Sequence, residues 1–143
     1  KLDTLTGDRV MWGFGNSAGG THLVQLGFST GGQTWEHAVR DSANNIAYIG
    51  TGTPVINTWY HTIIIWTAST DTLSFYLNGV FVTSNTNALV GTATFDRVTI
   101  GALTKDVVSA YHDGLIGEVR VYPRALSALE SMRNYQITKG RYV

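Results

Sequence analysis

The chain has no cysteine in its 143 residues, so neither a disulfide nor thiol chemistry contributes to its structure or function. Charged residues make up only 14% of it, against roughly 25% in typical soluble domains. The ten basic and ten acidic side chains cancel, and they form no run of like charge. These features give no indication of nucleic-acid binding or of an anionic membrane as partner. No apolar segment reaches the length of a transmembrane span, so we expect no membrane insertion.

The groups that most hydrolases use are also scarce. A glycosidase needs two carboxylates about 5–10 Å apart, but the three glutamates, Glu36, Glu118 and Glu130, lie on three separate segments. The four histidines show neither an H-x-H nor an H-E-x-x-H spacing, which counts against a catalytic zinc site. We therefore predict that the protein is not an enzyme.

What the chain does contain is a series of short strand-like segments separated by turn-rich clusters. They follow one another without a helical stretch between them, which favours an all-β fold, an antiparallel two-sheet jelly-roll sandwich, as a single domain over residues 1–143. In the first segment, alternation places Val10, Trp12 and Phe14 on one face. The predicted strands are RVMWGFG, THLVQLGF, TWEHAVRD, IAYIG, WYHTIIIWT, TLSFYL, VFVTS, FDRVTIGAL and GLIGEVRVY.

Asn78 and Gly79 stand between two of these segments and predict a hairpin with a type I′ turn, because both accept a positive φ. The predicted cross-strand pairs are Leu77–Val80, Tyr76–Phe81 and Phe75–Val82. The predicted core face carries Leu73, Phe75, Leu77, Val80 and Val82, with Tyr76 and Phe81 opposite.

One short C-terminal helix is predicted after the last strand. Ser127 and Glu130 have the spacing of a capping box, in which each side chain binds the backbone N–H of the other's position. Leu129 and Met132 are expected to face the sandwich.

The run Ile63–Trp66 places large apolar groups on both faces of one strand. One interpretation is a central strand whose second face is covered by a loop or the helix. The other is that Ile64 and Trp66 form part of a surface for a partner or ligand.

Aromatic side chains are the main candidates for ligand binding, since sugar rings stack on aromatic faces while neighbouring polar groups bind the hydroxyls. Burial in the core is the alternative for each of them. The candidate ligand-binding residues are Trp35, Tyr48, Trp66, Tyr111 and His112. Asp106 and Asp113 are candidate calcium ligands, with an ordinary role in turns as the alternative.

The C-terminal block DGLIGEVRVYPRALSALE, residues 113–130, closely resembles the closing segment of LamG-like domains of the concanavalin A-like lectin/glucanase group. Trp59 and His61 resemble the W-x-H strand start of that family. LSFYLNGV resembles its hairpin, and VTIGA resembles the strand that follows. The resemblance implies a jelly-roll sandwich and a non-catalytic role, because the Glu-x-Asp-x-x-Glu strand of the glycosidase branches is missing.

The same resemblance implies further strands ahead of RVMWGFG, one of which pairs with the last strand in complete domains. We therefore expect that the domain lacks N-terminal strands, which a preceding segment of the polypeptide or another chain supplies. An uncovered edge strand would invite association.

The tail NYQITKGRY, residues 134–142, resembles tails in structural proteins of bacteriophages and environmental viruses. Together with the missing cysteine and the low charge, it leads us to expect an adhesion module on a virion surface, in multiple copies. Such a decoration, fibre or tail-associated protein would bind cell-surface glycans or neighbouring virion proteins. The alternative is an extracellular carbohydrate-binding module of a secreted bacterial enzyme or adhesin.

Overall fold

In a computed structural model of the chain, we describe residues 1–17, 23–29, 34–40, 46–86, 94–104 and 107–142. The predicted strand residues Thr21, His22 and Asp41 lie outside this part. The elements are β1 (Arg9–Gly15), β2 (Leu23–Ser29), β3 (Thr34–Arg40), β4 (Ile46–Thr51), β5 (Thr62–Thr67), a 3-10 turn (Ala68–Thr70), β6 (Thr72–Leu77), β7 (Val80–Asn85), β8 (Arg97–Ile100), β9 (Leu103–Thr104), β10 (Val108–Ser109) and helix α1 (Ala128–Thr138).

Eight of the strands form two antiparallel sheets that pack face to face, and β9 and β10 pair separately as a two-stranded sheet. One has five strands in the order β4-β3-β2-β1-β8, and the other has three in the order β5-β6-β7. Alternate residues of each strand point into the space between the sheets. Phe28, Val39 and Phe75 are almost fully buried there. The all-β sandwich with one short helix is confirmed.

Strand β1 does not keep the simple alternation that the sequence predicts. Its register with β2 shifts between Val10 and Trp12, as at a β-bulge. Val10 packs with Ala38 and Leu103 on one side of the sheet, whereas Trp12 and Phe14 pack against the main core. The prediction that Val10, Trp12 and Phe14 share a face is therefore wrong, because the extra residue inverts the alternation.

The hairpin between β6 and β7 forms at Asn78 and Gly79, which have φ values of 51° and 79°. The predicted pairs Leu77–Val80 and Tyr76–Phe81 are confirmed. The register then shifts, so that Phe75 lies opposite Thr83 rather than Val82. Val80, predicted to lie in the core face, is 63% exposed because it sits next to the turn.

Helix α1 begins with the predicted capping box, in which the Ser127 hydroxyl accepts from the Glu130 N–H. Leu129 and Met132 are exposed, contrary to prediction, and the buried positions are Ser131 and Thr138. These two hydroxyls donate to backbone carbonyls of the helix itself at 3.0 and 2.9 Å, which satisfies them without water. No helix among the described residues is long and apolar enough to cross a membrane.

Strand β5 lies at the edge of its sheet, so the interpretation of Ile63–Trp66 as a central strand is wrong. Within the described part of the chain it pairs only with β6. The last predicted strand also differs: Gly114 forms a single bridge with Leu2, and residues 115–122 belong to no sheet. A strand needs a partner, and none lies beside this segment in the described structure.

Candidate functional site

Three polar side chains, Gln25, Glu36 and Arg40, lie on the side of the five-stranded sheet that faces away from the core. On β3, His37 faces inward, with its ring centroid 4.3 Å from that of Phe75. Because side chains alternate along a strand, Glu36 and Arg40 point to the opposite side. We call this side the outer face. The register places Gln25 opposite Ala38, between the levels of Glu36 and Arg40.

Glycines form much of the floor of this outer face. Gly27 and Gly50 flank Glu36 on the two neighbouring strands, and Gly13 lies opposite Gln25. A Cβ at Gly27 would clash with the carbonyl oxygen of Arg9, so the close approach of β1 at its bulge requires glycine there.

Gln25 and Arg40 on the outer face each have a buried polar atom without a hydrogen-bond partner among the described residues. Gln25 uses its amide nitrogen to donate to Glu36 Oε1 at 3.4 Å, while its own Oε1 has no donor. The Nε of Arg40 has no acceptor in the described structure. A buried polar group without a partner costs about 1–3 kcal/mol, so both groups favour a ligand that supplies the missing bonds.

Arg9 and Tyr111 lie at one end of this surface. A small cavity of about 60 Å³ is lined by Arg9, Gln25 and Glu36. The Arg9 Nη1 donates to the Tyr111 carbonyl oxygen at 3.3 Å, and the Tyr111 side chain is 61% exposed. A volume of this size accepts one or two small polar atoms, so a larger ligand would lie across the face rather than inside it.

The other predicted aromatic residues lie in different places. Trp35 is 3% exposed and packs edge-on against Tyr60 at 5.1 Å, so its ring has no surface for a sugar to stack on. Trp66 lies on β5 and donates to Asp71 Oδ1 at 3.3 Å. Tyr48 occupies the register position next to Ala38, and its side chain lies outside the described structure.

His112 and Asp113 serve to hold the N-terminal residues. His112 Nε2 lies 3.2 Å from the Lys1 carbonyl oxygen, and burial lowers the pKa of its imidazole. Asp113 accepts a hydrogen bond from Thr4 Oγ1 at 2.8 Å and lies 3.9 Å from Arg9.

The second predicted calcium ligand, Asp106, lies outside the described residues. Within the part of the chain that is described, no three His, Asp or Glu side chains come together in a way that would hold a metal ion. The calcium site stays a prediction.

Sequence reasoning missed Gln25 and Arg40. The signal was present in TWEHAVRD, where strict alternation puts Glu36 and Arg40 on one face and three core residues on the other.

A larger cavity, of about 510 Å³, lies on the opposite, core-facing side of the five-stranded sheet. Its walls include Trp12, Phe14 and Ile64, which also pack against the main core. Polar and charged side chains, His61, Glu118 and Arg120 among them, line the rest of it. We place the candidate ligand site on the outer face, where Gln25 Oε1 and Arg40 Nε are buried without a hydrogen-bond partner among the described residues.

Comparison with known proteins agrees with the architecture. A family model described as the concanavalin A-like lectin/glucanases superfamily (Laminin_G_3) matches residues 1–130. No curated protein matches the sequence.

Several solved structures share the fold at low sequence identity. The CBM40 domain of the Ruminococcus gnavus IT-sialidase has a TM-score of 0.78 and 14% identity, over 94% of this chain and 78% of that domain. The leech intramolecular trans-sialidase has a TM-score of 0.79 and 16% identity over 96% of this chain. The NanB sialidase of Streptococcus pneumoniae has a TM-score of 0.73 and 18% identity over 89% of this chain. The chain spans only 22% and 21% of these two longer proteins.

Proposed function

Because the chain belongs to the concanavalin A-like lectin/glucanase superfamily, we propose that it is a non-catalytic carbohydrate-binding module that takes an acidic sugar on its outer face. The ligand class is a glycan that ends in a carboxylate-bearing residue. The proposed contacts are Arg40 at the end of β3 and Gln25 on the neighbouring strand β2.

The observation that carries this proposal is the state of Arg40. Arg40 is partly buried, and its Nε is buried without a hydrogen-bond acceptor among the described residues. A guanidinium offers donors in a fork that matches a carboxylate, and such charge-assisted pairs are stronger than neutral hydrogen bonds. On the adjacent strand β2, Gln25 Oε1 would accept a hydrogen bond from a sugar hydroxyl.

Two of the similar solved structures support the ligand class. The Ruminococcus gnavus CBM40 domain is described as bound to α2,3 sialyllactose and to α2,6 sialyllactose. Sialyllactose ends in a sugar acid whose carboxylate is ionised at neutral pH, which is the chemistry that Arg40 would recognise. At 14% identity the likeness itself extends to the fold alone.

We place this module in an extracellular protein, as in the alternative prediction of a carbohydrate-binding module of a secreted enzyme or adhesin, rather than on a virion. The similar structures are domains of sialidases, and none of those reported is a virion protein. A virion location stays a prediction without support from the family match. A single weak site would gain affinity when several modules or copies act together.

The test is calorimetric titration of the protein with 3′-sialyllactose and with lactose. We expect binding of sialyllactose and at least about tenfold weaker binding of lactose, which lacks the acid. Arg40→Met should lower the affinity for sialyllactose by a similar factor, and Arg40→Lys should restore part of it. Arg133→Met, on the exposed side of α1, is the matched control and should bind like the wild type.

Two results would overturn the proposal. Equal affinity for lactose and sialyllactose would remove the acidic sugar as the ligand. Failure of the folded protein to retain any glycan on a broad array would remove the carbohydrate-binding function itself.

A further inference from the structure

Arg9 and Gln25 both line the small cavity of about 60 Å³, and each has one buried polar atom without a partner among the described residues. Arg9 Nε is a donor that lacks an acceptor, and Gln25 Oε1 is an acceptor that lacks a donor. The neighbouring nitrogens already have acceptors: Arg9 Nη1 donates to the Tyr111 carbonyl oxygen at 3.3 Å, and the Gln25 amide nitrogen donates to Glu36 Oε1 at 3.4 Å. The cavity is therefore lined by one spare donor and one spare acceptor.

One donor and one acceptor beside the same small cavity match a hydroxyl group, which accepts one hydrogen bond and donates another. An ionised carboxylate only accepts and an ammonium only donates, so either group would leave one of the two protein atoms unsatisfied. The volume holds one or two small polar atoms and is too small for a sugar ring. An exocyclic hydroxymethyl group, which places one carbon and one oxygen beyond the rest of the sugar, has the right size and chemistry.

The charges along the outer face orient an acidic ligand. Asp8 and Glu36 also line the cavity, so a carboxylate placed there would meet two acidic side chains. Arg9 supplies one positive charge, but Asp113 already lies 3.9 Å from it. Arg40 is four residues after Glu36 on β3, about 13 Å farther along the strand. The carboxylate of the sugar is therefore favoured at Arg40, and an uncharged part of the sugar is favoured at the cavity.

We propose that this cavity is a specificity subsite for an exocyclic hydroxymethyl group of the acidic sugar, an inference that rests on the glycan site proposed above. The hydroxyl accepts a hydrogen bond from Arg9 Nε and donates one to Gln25 Oε1. Gln25 lies opposite Ala38, two residues before Arg40 on β3, so the two contacts stand about 7 Å apart along the sheet. One sugar unit with a carboxylate at one end and an exocyclic chain at the other has about this length.

Such a subsite separates two classes of acidic sugar. A hexuronic acid carries its carboxylate on its only exocyclic carbon, so it has no hydroxymethyl group left when that carboxylate binds Arg40. A nine-carbon sugar acid, such as the terminal residue of sialyllactose, carries a separate exocyclic chain that ends in a hydroxymethyl group. Arg9 is thereby a specificity-determining residue that favours the second class. Ordered water is the other occupant that makes the same two bonds, and it would not distinguish the two classes.

The experiment is calorimetric titration with 3′-sialyllactose and with its 9-deoxy derivative, which lacks the terminal hydroxyl of the exocyclic chain and keeps the carboxylate. We expect the wild type to bind the derivative about tenfold more weakly. Arg9→Lys keeps the positive charge but removes the Nε donor, so its affinities for the two ligands should agree within about threefold. Arg133→Lys, on the exposed side of α1, is the matched control and should keep the tenfold difference. Thermal unfolding verifies that both variants are folded.

The possible outcomes separate this subsite from the glycan site itself. Equal affinity of the wild type for the two ligands would overturn the subsite, assign the cavity to ordered water and leave the glycan site in place. This comparison needs no variant, so it stands even if Arg9→Lys does not fold. A tenfold difference that persists in folded Arg9→Lys would overturn the role of Arg9. Failure of the wild type to bind 3′-sialyllactose at all would overturn the proposed function and the subsite with it.

Discussion

At the scale of single residues, His37 is the most unusual side chain of the core. It is 1% exposed, and neither ring nitrogen has a hydrogen-bond partner among the described residues. Burial lowers the pKa of its imidazole to about 3, from an ordinary value of 6.5. The native state therefore holds His37 neutral at a pH where the unfolded chain protonates it.

This difference predicts acid sensitivity with a defined sign. Between pH 6.5 and about 3 the unfolded state binds the proton and the native state does not, so stability falls as the pH falls through this window. The loss is about 1.4 kcal/mol per pH unit from this one group. We expect the free energy of unfolding of His37→Leu to fall by about 2 kcal/mol less than that of the wild type between pH 7 and pH 5. Urea unfolding at each pH measures both values. Parallel losses in the two proteins would contradict a neutral His37.

At the scale of elements, the hairpin turn at Asn78 and Gly79 packs directly against α1. Gly79 has a φ of 79°, and a Cβ there would lie 3.1 Å from the Met132 Cα and 3.1 Å from the Tyr135 Cβ. On the other side of the turn, Asn78 Oδ1 accepts from the His61 N–H at 3.0 Å, and its own N–H donates to the His61 carbonyl at 2.7 Å. The turn is thus held by β5 and by the helix together.

Replacement of Gly79 by alanine tests the packing of α1 on this turn. We expect Gly79→Ala to lower the free energy of unfolding by about 2–3 kcal/mol, because the left-handed backbone costs about 1–2 kcal/mol and the displaced helix adds to it. Gly52→Ala is the matched control, since Gly52 has a φ of 62° and no atom within 4 Å of the added Cβ. Equal losses in thermal unfolding of the two variants would show that the helix does not pack on the turn.

At the scale of the whole molecule, the mismatch between a five-stranded and a three-stranded sheet decides which apolar residues stabilise the fold. Ile100 faces the core side yet is 61% exposed, so in the chain alone it contributes little burial. A single substitution tests this.

We expect Ile100→Thr to lower the free energy of unfolding by less than about 0.5 kcal/mol, because the side chain is already 61% exposed. Denaturant unfolding of the variant and the wild type measures the difference. A loss of about 2 kcal/mol or more would contradict the exposed position of Ile100.

Local features of this protein were predictable from the sequence. The Asn78–Gly79 turn and the Ser127–Glu130 cap depend on residues a few positions apart, whose conformational preferences act without the rest of the fold. The strand positions and the family match followed from alternation and from motifs such as the C-terminal block, residues 113–130.

The candidate site depended on pairings that alternation alone does not reveal. The bulge after Val10 inverted one strand, and the register of β2 with β3 placed Gln25 opposite Ala38, between the levels of Glu36 and Arg40. Trp35 turned inward although its ring suits a sugar. Each outcome rests on contacts between segments ten or more residues apart, where one added residue exchanges the faces of a strand. The sequence by itself thus determined most of the strands, the hairpin turn and the helix. The tertiary structure decided that residues 115–122 join no sheet and which side chains meet, because both depend on pairing between distant segments and on its register.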